Sequence, residues 1–98
     1  MNVKYSLHNI AFEWDSQKAA ANLRKHGVTF ELACEAFFDL FVSYVDEELI
    51  DHELRETIIG LSSNWQLCYV VYVIRDEIIR IISARLVTSS ERETYENQ

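Results

Sequence analysis

Several features that would point to particular classes of protein are scarce in this chain. Its 98 residues include no proline, only two glycines and only two cysteines. Two glycines leave no glycine-rich loop of the kind that cradles nucleotide phosphates. Cys34 and Cys68 have neither CxxC nor Cys/His spacing, which favours core thiols in a reducing cytoplasm over disulfides or zinc ligands. No apolar run approaches the roughly 20 residues that cross a membrane, and no signal peptide opens the chain. We therefore expect no metal, no cofactor and no membrane contact.

Positive charge is also scarce. Nine Lys and Arg residues face sixteen Asp and Glu residues, which gives a net charge of −7. The imbalance lies mainly in residues 46–98, where five basic residues accompany eleven acidic ones. Proteins that bind nucleic acid without sequence preference are usually basic, because phosphate neutralisation dominates their affinity. Any action on RNA must therefore depend on a local cluster of positive side chains.

The first half of the chain predicts two helices. The composition is 49% apolar, which suits one folded domain over residues 1–98. Asp15 is a suitable N-cap for a helix over 16–26, and Gly27 suits the left-handed position that ends it. Thr29 can cap a second helix, which we expect to stop near Asp39 or Leu40. Residues 1–11 alternate weakly and form either a short first strand or an N-terminal extension.

The second half predicts a sheet and a last helix. Strands are predicted at residues 41–45, 55–61, 67–74 and 78–85, and the acidic residues 46–53 are interpreted as a solvated loop. A capping box from Thr88 to Glu91 begins a short C-terminal helix. We therefore predict an α+β domain, with two N-terminal helices packed on an antiparallel β-meander and a short C-terminal helix. Residues expected in or near the core are Ile58, Val71, Ile79 and Ile81.

The strand at 78–85 contains two arginines within a β-branched run that lacks glycine and proline. Arg80 and Arg85 point to opposite faces if the strand is regular, and to the same face if one β-bulge lies between them. An arginine in an apolar strand either pairs with a carboxylate or faces an anion, because an unpaired buried charge is too costly. The sequence leaves both alternatives open.

Two blocks of the sequence carry a family resemblance. The first reads FEWD at 12–15, KA at 18–19, Asn22 and KHGV at 25–28, followed by Phe30. The second reads RIISAR at 80–85, followed by ER at 91–92 and Tyr95. Between them lie Phe38, Asp39, Glu53, Arg55, the dipeptide IG at 59–60 and VVY at 70–72. Together these residues resemble the BrnT toxin family over positions 12 to 95.

This resemblance implies a fold and a function. The fold is RelE-like, and the activity is that of a type II toxin: a metal-independent endoribonuclease that cleaves RNA and inhibits translation. The implied partner is a BrnA-like antitoxin with a ribbon-helix-helix part. The two proteins would assemble as a heterotetramer in the cytoplasm and contact DNA only through the antitoxin.

RNA cleavage at a 2′-hydroxyl requires removal of its proton, protonation of the leaving 5′-oxygen and stabilisation of a dianionic phosphorane. Arginine suits the last task because its planar fork binds two phosphate oxygens and keeps its charge. Histidine suits proton transfer because its ordinary pKa of about 6.5 lies near working pH. The candidate catalytic residues are therefore His26, Arg55, Arg80 and Arg85, and the candidate substrate-binding residues are Lys25 and Tyr95.

Each candidate also has a purely structural interpretation. His26 and Lys25 complement the negative end of a helix dipole, and the arginines have many acidic residues with which to pair. The alternative function is therefore a catalytically inactive, toxin-like protein-protein interaction module. The acidic second half favours this alternative, and a partner could lay basic residues over positions 46–56.

Overall fold

A hairpin precedes the first helix. The computed structural model describes residues 1–98, and it begins with β1 (Asn2–Leu7) and β2 (Ile10–Asp15), paired antiparallel through a turn at His8 and Asn9. Both turn residues have positive φ, as a two-residue type I′ hairpin turn requires. The other elements are α1 (Ser16–His26), α2 (Phe30–Ala36), β3 (Ser43–Ile50), β4 (Glu53–Leu61), β5 (Leu67–Arg75), β6 (Ile78–Leu86) and α3 (Ser89–Glu96). None of the helices is both long and apolar enough to cross a membrane.

The helices begin where their caps predict. The Asp15 carboxylate accepts the backbone N–H groups of Gln17 and Lys18, and Gly27 ends α1 with φ 70°. The Thr29 hydroxyl caps α2, and Thr88 and Glu91 form the predicted capping box of α3. α2 ends earlier than expected, at Ala36, because the next three residues form tighter bonds to carbonyls three positions back.

The six strands form one mixed sheet in the order β1-β2-β6-β5-β4-β3. β2 and β6 run parallel, whereas every other neighbouring pair is antiparallel. The α+β class is therefore confirmed. α1 packs against β6 and β2, and α2 packs against β4, β5 and β6. We call the side of the sheet that these helices cover the helix face, and the other side the open face.

The core lies between the helices and the helix face. Its largest fully buried members include Phe12 and Phe30, and the free thiols of both cysteines are buried there. Ile58 and Ile81 belong to this core, and Ile79 packs at its margin. The prediction for Val71 is wrong. This residue is only half-buried and lies on the open face, because Val70 and Tyr72, its neighbours in β5, lie on the helix face.

Two close contacts fix the helices on the sheet. The Asn22 amide is only 8% exposed, donates to the Val28 and Ala84 carbonyls, and accepts the Ala84 N–H. It thereby binds the edge of β6 beyond the point where β2 leaves it. A Cβ at Gly60 would lie 2.1 Å from the Ala36 carbonyl oxygen, so only glycine allows α2 to approach β4 this closely.

A β-bulge decides where the arginines of β6 point. Tyr72 pairs with Ile81, and the register then shifts by one residue, which leaves Ile82 as the extra residue. Because side chains alternate along a strand, this one extra residue brings Arg80 and Arg85 to the same face. Of the two alternatives that the sequence left open, the bulged strand is confirmed.

The acidic segment 46–53 is not a loop. Residues 46–50 continue β3, and only Asp51 and His52 form the turn to β4. Three consecutive acids are unusual in a strand, but β3 is an edge strand, where all three side chains reach water. Charged side chains on such an edge also discourage pairing with another chain. Composition alone suggested a loop because it does not reveal an edge position.

Candidate active site on the open face of the sheet

One row of side chains crosses the open face, and we call it the arginine row. From β1 to β3 it consists of Lys4, Glu13, Arg80, Val73, Arg55 and Glu48. Arg55 lies opposite Val73 when the β4–β5 ladder is continued one residue past its last pair. Neighbours across strands are about 5 Å apart. The row thus brings two of the candidate arginines, Arg55 and Arg80, to either side of a single valine.

Val73 shows that the arginines also contribute to packing. Its side chain is 1% exposed although no helix covers that part of the open face. The side chains beside it in the row must therefore shield it, as the aliphatic stems of arginine commonly do. Replacing Arg55 or Arg80 by a small residue will expose Val73 in addition to removing a charge.

Arg80 is held by a network from the N-terminal hairpin. Its Nη1 lies 3.2 Å from Oε2 of Glu13 and donates to Oδ1 of Asn2 at 2.8 Å. The Asn2 amide in turn donates to the other carboxylate oxygen of Glu13. Arg80 and Glu13 are both largely buried. Of the two interpretations of Arg80, the ion pair is therefore present in the free protein.

Next to this row, Arg75 forms an exposed ion pair with Glu53. The pKa of the Glu53 carboxyl lies below its usual range, chiefly because Arg75 donates hydrogen bonds to it. The charges of Arg55 and Arg80 lower this pKa further. Three guanidiniums therefore favour the ionised form of this one carboxylate, so positive side chains are concentrated around Glu53 despite the net charge of the chain.

Arg55 differs from the other arginines of this face. Arg75, Arg80 and Arg85 each have a carboxylate partner, whereas Arg55 makes no ion pair and no side-chain hydrogen bond. The residue is half-buried in the sheet. Its five N–H donors are thus free to bind an anion in the plane of the guanidinium.

Arg85 lies at the far end of β6 and holds α3. Its Nη1 and Nη2 donate to the two carboxylate oxygens of Glu91, each at 2.8 Å, and its guanidinium carbon is 3.9 Å from the centroid of the Tyr69 ring. The pKa of Glu91 is lowered, first by these hydrogen bonds and then by the Thr88 N–H, against partial burial. Arg85 therefore joins the capping box of α3 to the sheet.

Tyr95 holds the same helix through a second contact. Its hydroxyl donates to Oδ2 of Asp39, which also accepts the Leu61 N–H. Partial burial and this hydrogen bond raise the pKa of Tyr95 to about 12. Burial alone would raise the pKa of Asp39, but hydrogen bonds from Tyr95 and from the backbone N–H groups of Phe41 and Leu61 outweigh it, so this pKa is lowered. The Tyr95 hydroxyl is thus engaged within the protein.

His26 and Lys25 occupy the last turn of α1. One turn earlier, Asn22 binds the backbone of Ala84, which precedes Arg85. The end of α1 therefore lies toward the Arg85 end of β6, and no hydrogen bond or ion pair joins His26 to any arginine.

The six predicted residues therefore form two groups. Arg55 and Arg80 share the arginine row, while His26, Lys25, Arg85 and Tyr95 belong to the elements around the C-terminal end of β6. Arg80 and Arg85 are five positions apart along the strand, or roughly 15 Å at the usual rise per residue. No group of three or more His, Cys, Asp or Glu residues is arranged to hold a metal ion.

Sequence reasoning missed the partners of Arg80 and the position of Arg75. Glu13 is 67 positions from Arg80, so no local pattern links them, although Glu13 belongs to the first resemblance block. Arg75 lies just outside the strand predicted at residues 67–74, but β5 extends one residue further and places Arg75 on the sheet. The end of a strand is the least certain part of such a prediction.

Comparison with protein families identifies a match. A family model described as "Ribonuclease toxin, BrnT, of type II toxin-antitoxin system" matches residues 14–91. The match runs from the end of β2 to the first turn of α3 and includes every arginine of the open face. Among curated proteins, none matches the chain.

Proposed function

The chain belongs to the BrnT family, the ribonuclease toxins of type II toxin-antitoxin systems, and on that premise we propose that it is a RelE-like, metal-independent endoribonuclease. In this proposal the chain acts in the cytoplasm, cleaves RNA and thereby stops translation. A cognate BrnA-like antitoxin with a ribbon-helix-helix part neutralises it, in a heterotetramer that contacts DNA only through the antitoxin.

The unpaired guanidinium of Arg55 carries the proposal. A metal-independent cleavage needs positive groups that stabilise the charge developing on the phosphorane. Arg55 offers a complete donor fork in a half-buried position, beside further guanidiniums on the same face. A guanidinium that is already positioned needs little rearrangement to bind phosphate, so Arg55 is proposed as the primary phosphate ligand.

Arg80 is proposed as a second phosphate ligand that changes partner. Its bonds to Glu13 and Asn2 keep the guanidinium oriented in the free protein. RNA brings more negative charge than one carboxylate, and an arginine at the protein surface can exchange one oxyanion for another. In the proposed complex, Arg80 turns from Glu13 toward the phosphate that Arg55 binds.

The second group of residues is proposed to act on a neighbouring part of the RNA. Proton transfer must occur at the reacting phosphate, which in this proposal lies with Arg55 and Arg80. His26 belongs to the other group and is therefore proposed only to contact the RNA backbone at the end of α1, with Lys25 beside it. Arg85 at the end of β6 and Tyr95 on α3 would contact the substrate only by exchanging their present partners, Glu91 and Asp39, for the RNA. A separation of roughly 15 Å along the strand assigns Arg80 and Arg85 to different nucleotides.

The test compares Arg55→Ala with Arg24→Ala. Arg24 is an exposed arginine of α1 and has no ion pair, so the pair separates a local effect from loss of one positive charge. Growth arrest on induction and RNA cleavage by the purified chain are measured, with EDTA present to test metal independence. We expect Arg55→Ala to reduce cleavage about 100-fold or more, as removal of one charge-stabilising donor typically does. Arg24→Ala should cleave as the wild type does.

Two results would contradict the proposal. Equal cleavage by the two variants would remove Arg55 from the site, and loss of cleavage in EDTA would remove metal independence. A wild-type chain that is folded, harmless and without nuclease activity would favour the alternative function, an inactive interaction module. The observation that favours this alternative is that three of the four arginines on the open face already have carboxylate partners.

A further inference from the structure

Three aliphatic side chains on the helix face remain uncovered by α1 and α2. Leu49 in β3 pairs with Leu54 in β4, and continuing the β4–β5 ladder places Ile74 of β5 opposite Leu54. These side chains are 70%, 43% and 55% exposed, respectively. We call them the apolar strip. Three exposed aliphatic residues in one cross-strand row form a contiguous patch, and such patches mark interaction sites more often than isolated exposed residues do.

The strip continues directly into the core. Ile74 pairs with Ile79, which packs at the margin of the core, and Ile79 pairs with the buried Phe12. One row of the helix face is therefore apolar from β2 to β3, whereas α1 and α2 cover only part of this face. A further helix laid beside α2 would complete the layer that the chain's own helices begin, with the same type of helix-on-sheet packing.

The border of the strip is acidic. Glu47 and Glu56 face each other in the next row of the helix face, and the two hairpin turns at the other side contribute Asp51, Asp76 and Glu77. No lysine or arginine side chain belongs to this border, because the nearby Arg75 pairs with Glu53 on the open face. An apolar centre with five carboxylates around it fits a helix that carries aliphatic residues on one side and lysines or arginines along its flanks.

We infer that the apolar strip is the docking site for a basic, amphipathic helix of the antitoxin. The existence of an antitoxin rests on the proposed function, but the position of the docking site does not depend on the arginine row. The strip lies on the helix face and the arginine row on the open face. A helix bound to the strip therefore anchors the antitoxin without touching Arg55.

The test measures the affinity for the protein encoded by the neighbouring reading frame, by isothermal titration with the full-length chain. The test variant is Leu54→Thr combined with Ile74→Thr, because threonine is polar yet β-branched and so suits a strand. The control is Leu40→Thr, since Leu40 is 94% exposed and lies outside the strip. We expect the double variant to raise Kd about tenfold or more, as truncation of a central apolar anchor does. The control should change Kd less than about twofold.

A second pair of variants tests the acidic border. Glu47→Gln should lower the association rate and weaken its dependence on salt, while Glu93→Gln on α3 should leave both unchanged. RNA cleavage by the free double variant is measured in parallel, and it should equal that of the wild type.

The outcomes separate the inference from the proposed function. Wild-type affinity in the double variant, or no binding of the neighbouring protein to the wild-type chain, would overturn the inference. Sedimentation that shows a dimer of the free chain, lost in the double variant, would also overturn it by assigning the strip to a second copy. Absence of RNA cleavage by every variant, with the affinity pattern intact, would instead reject the nuclease function and retain the docking site.

Discussion

The Asn22 amide offers the sharpest test of how the fold is held together. Its side chain is almost fully buried and makes three hydrogen bonds, to the Val28 carbonyl at 3.0 Å, the Ala84 carbonyl at 2.7 Å and from the Ala84 N–H at 3.2 Å. Along this edge β6 has no neighbouring strand, because β2 pairs with it only at Ile79 and Arg80. Asn22 thus replaces a strand partner, and Asn22→Leu removes that partner while keeping a side chain of similar size.

The expected loss follows from the three bonds. A buried hydrogen bond contributes about 0.5–1.5 kcal/mol net, and a buried group left without a partner costs somewhat more. Leucine offsets part of this through its apolar surface. We expect Asn22→Leu to lower the free energy of unfolding by about 2–4 kcal/mol. With an unfolding entropy of about 2.1 cal/mol/K per residue, the melting temperature should fall by roughly 10–20 °C.

The assay is urea unfolding followed by circular dichroism, with thermal melting as a second measurement. Asn97→Leu is the control, because Asn97 is exposed at the end of α3 and such substitutions usually change stability by less than about 0.5 kcal/mol. If both variants lose the same small amount, the hydrogen bonds of Asn22 do not hold α1 to β6, and the reasoning fails.

Two further predictions concern the fold. Gly60→Ala should lower the free energy of unfolding by more than about 3 kcal/mol, because the new Cβ meets the backbone of Ala36, which cannot move aside. Gly27→Ala is the comparison: its Cβ meets no atom within 4 Å, but the residue has positive φ. It should lower the free energy of unfolding by only about 1–2 kcal/mol in the same urea titration. The wild type should have a higher free energy of unfolding than Tyr95→Phe. This difference should be complete below pH 10.0 and decline as the pH rises toward about 12, because the pKa of Tyr95 is raised in the folded protein. The same difference should decline as the pH falls below 3.8 through the lowered pKa of Asp39, and a difference that does not vary with pH would show that their hydrogen bond adds no stability.

The sequence predicted the helices better than the strands for a physical reason. Caps act within one turn, so Asp15, Gly27 and Thr29 mark helix ends through contacts that the local sequence contains. α2 nevertheless ends early in a tighter turn at 37–39, and the Asp39 carboxylate that follows it accepts the N–H of Leu61, 22 positions away. Long-range contacts of this kind have no local signal.

The same difference explains which parts of the candidate site were predictable. The β-branched residues around Arg80 and Arg85 identified the strand that carries both arginines. Their common face depends on a bulge that arises from the register with β5. Whether each arginine is paired depends on distant carboxylates such as Glu13, and the availability of Arg55 was therefore visible only in the folded chain.

Because of the bulge at Ile82, the faces on which Arg80 and Arg85 lie depend on the number of residues between them. The extra residue offsets the odd spacing of Arg80 and Arg85, so a regular strand with the same five-residue spacing would turn Arg85 toward the helix face and Ala84 toward the open face. Deletion of Ile82 would instead leave a four-residue spacing, which a regular ladder already places on one face. A change of side chain at position 82 leaves the count intact, because the bulged residue has no pairing partner of its own. Substitutions there, and loss of the bulged residue together with the bulge, are thus compatible with the shared face of the two arginines. Sequence relatives with the two arginines four positions apart would present both on the open face without a bulge, whereas those with a spacing of five need one.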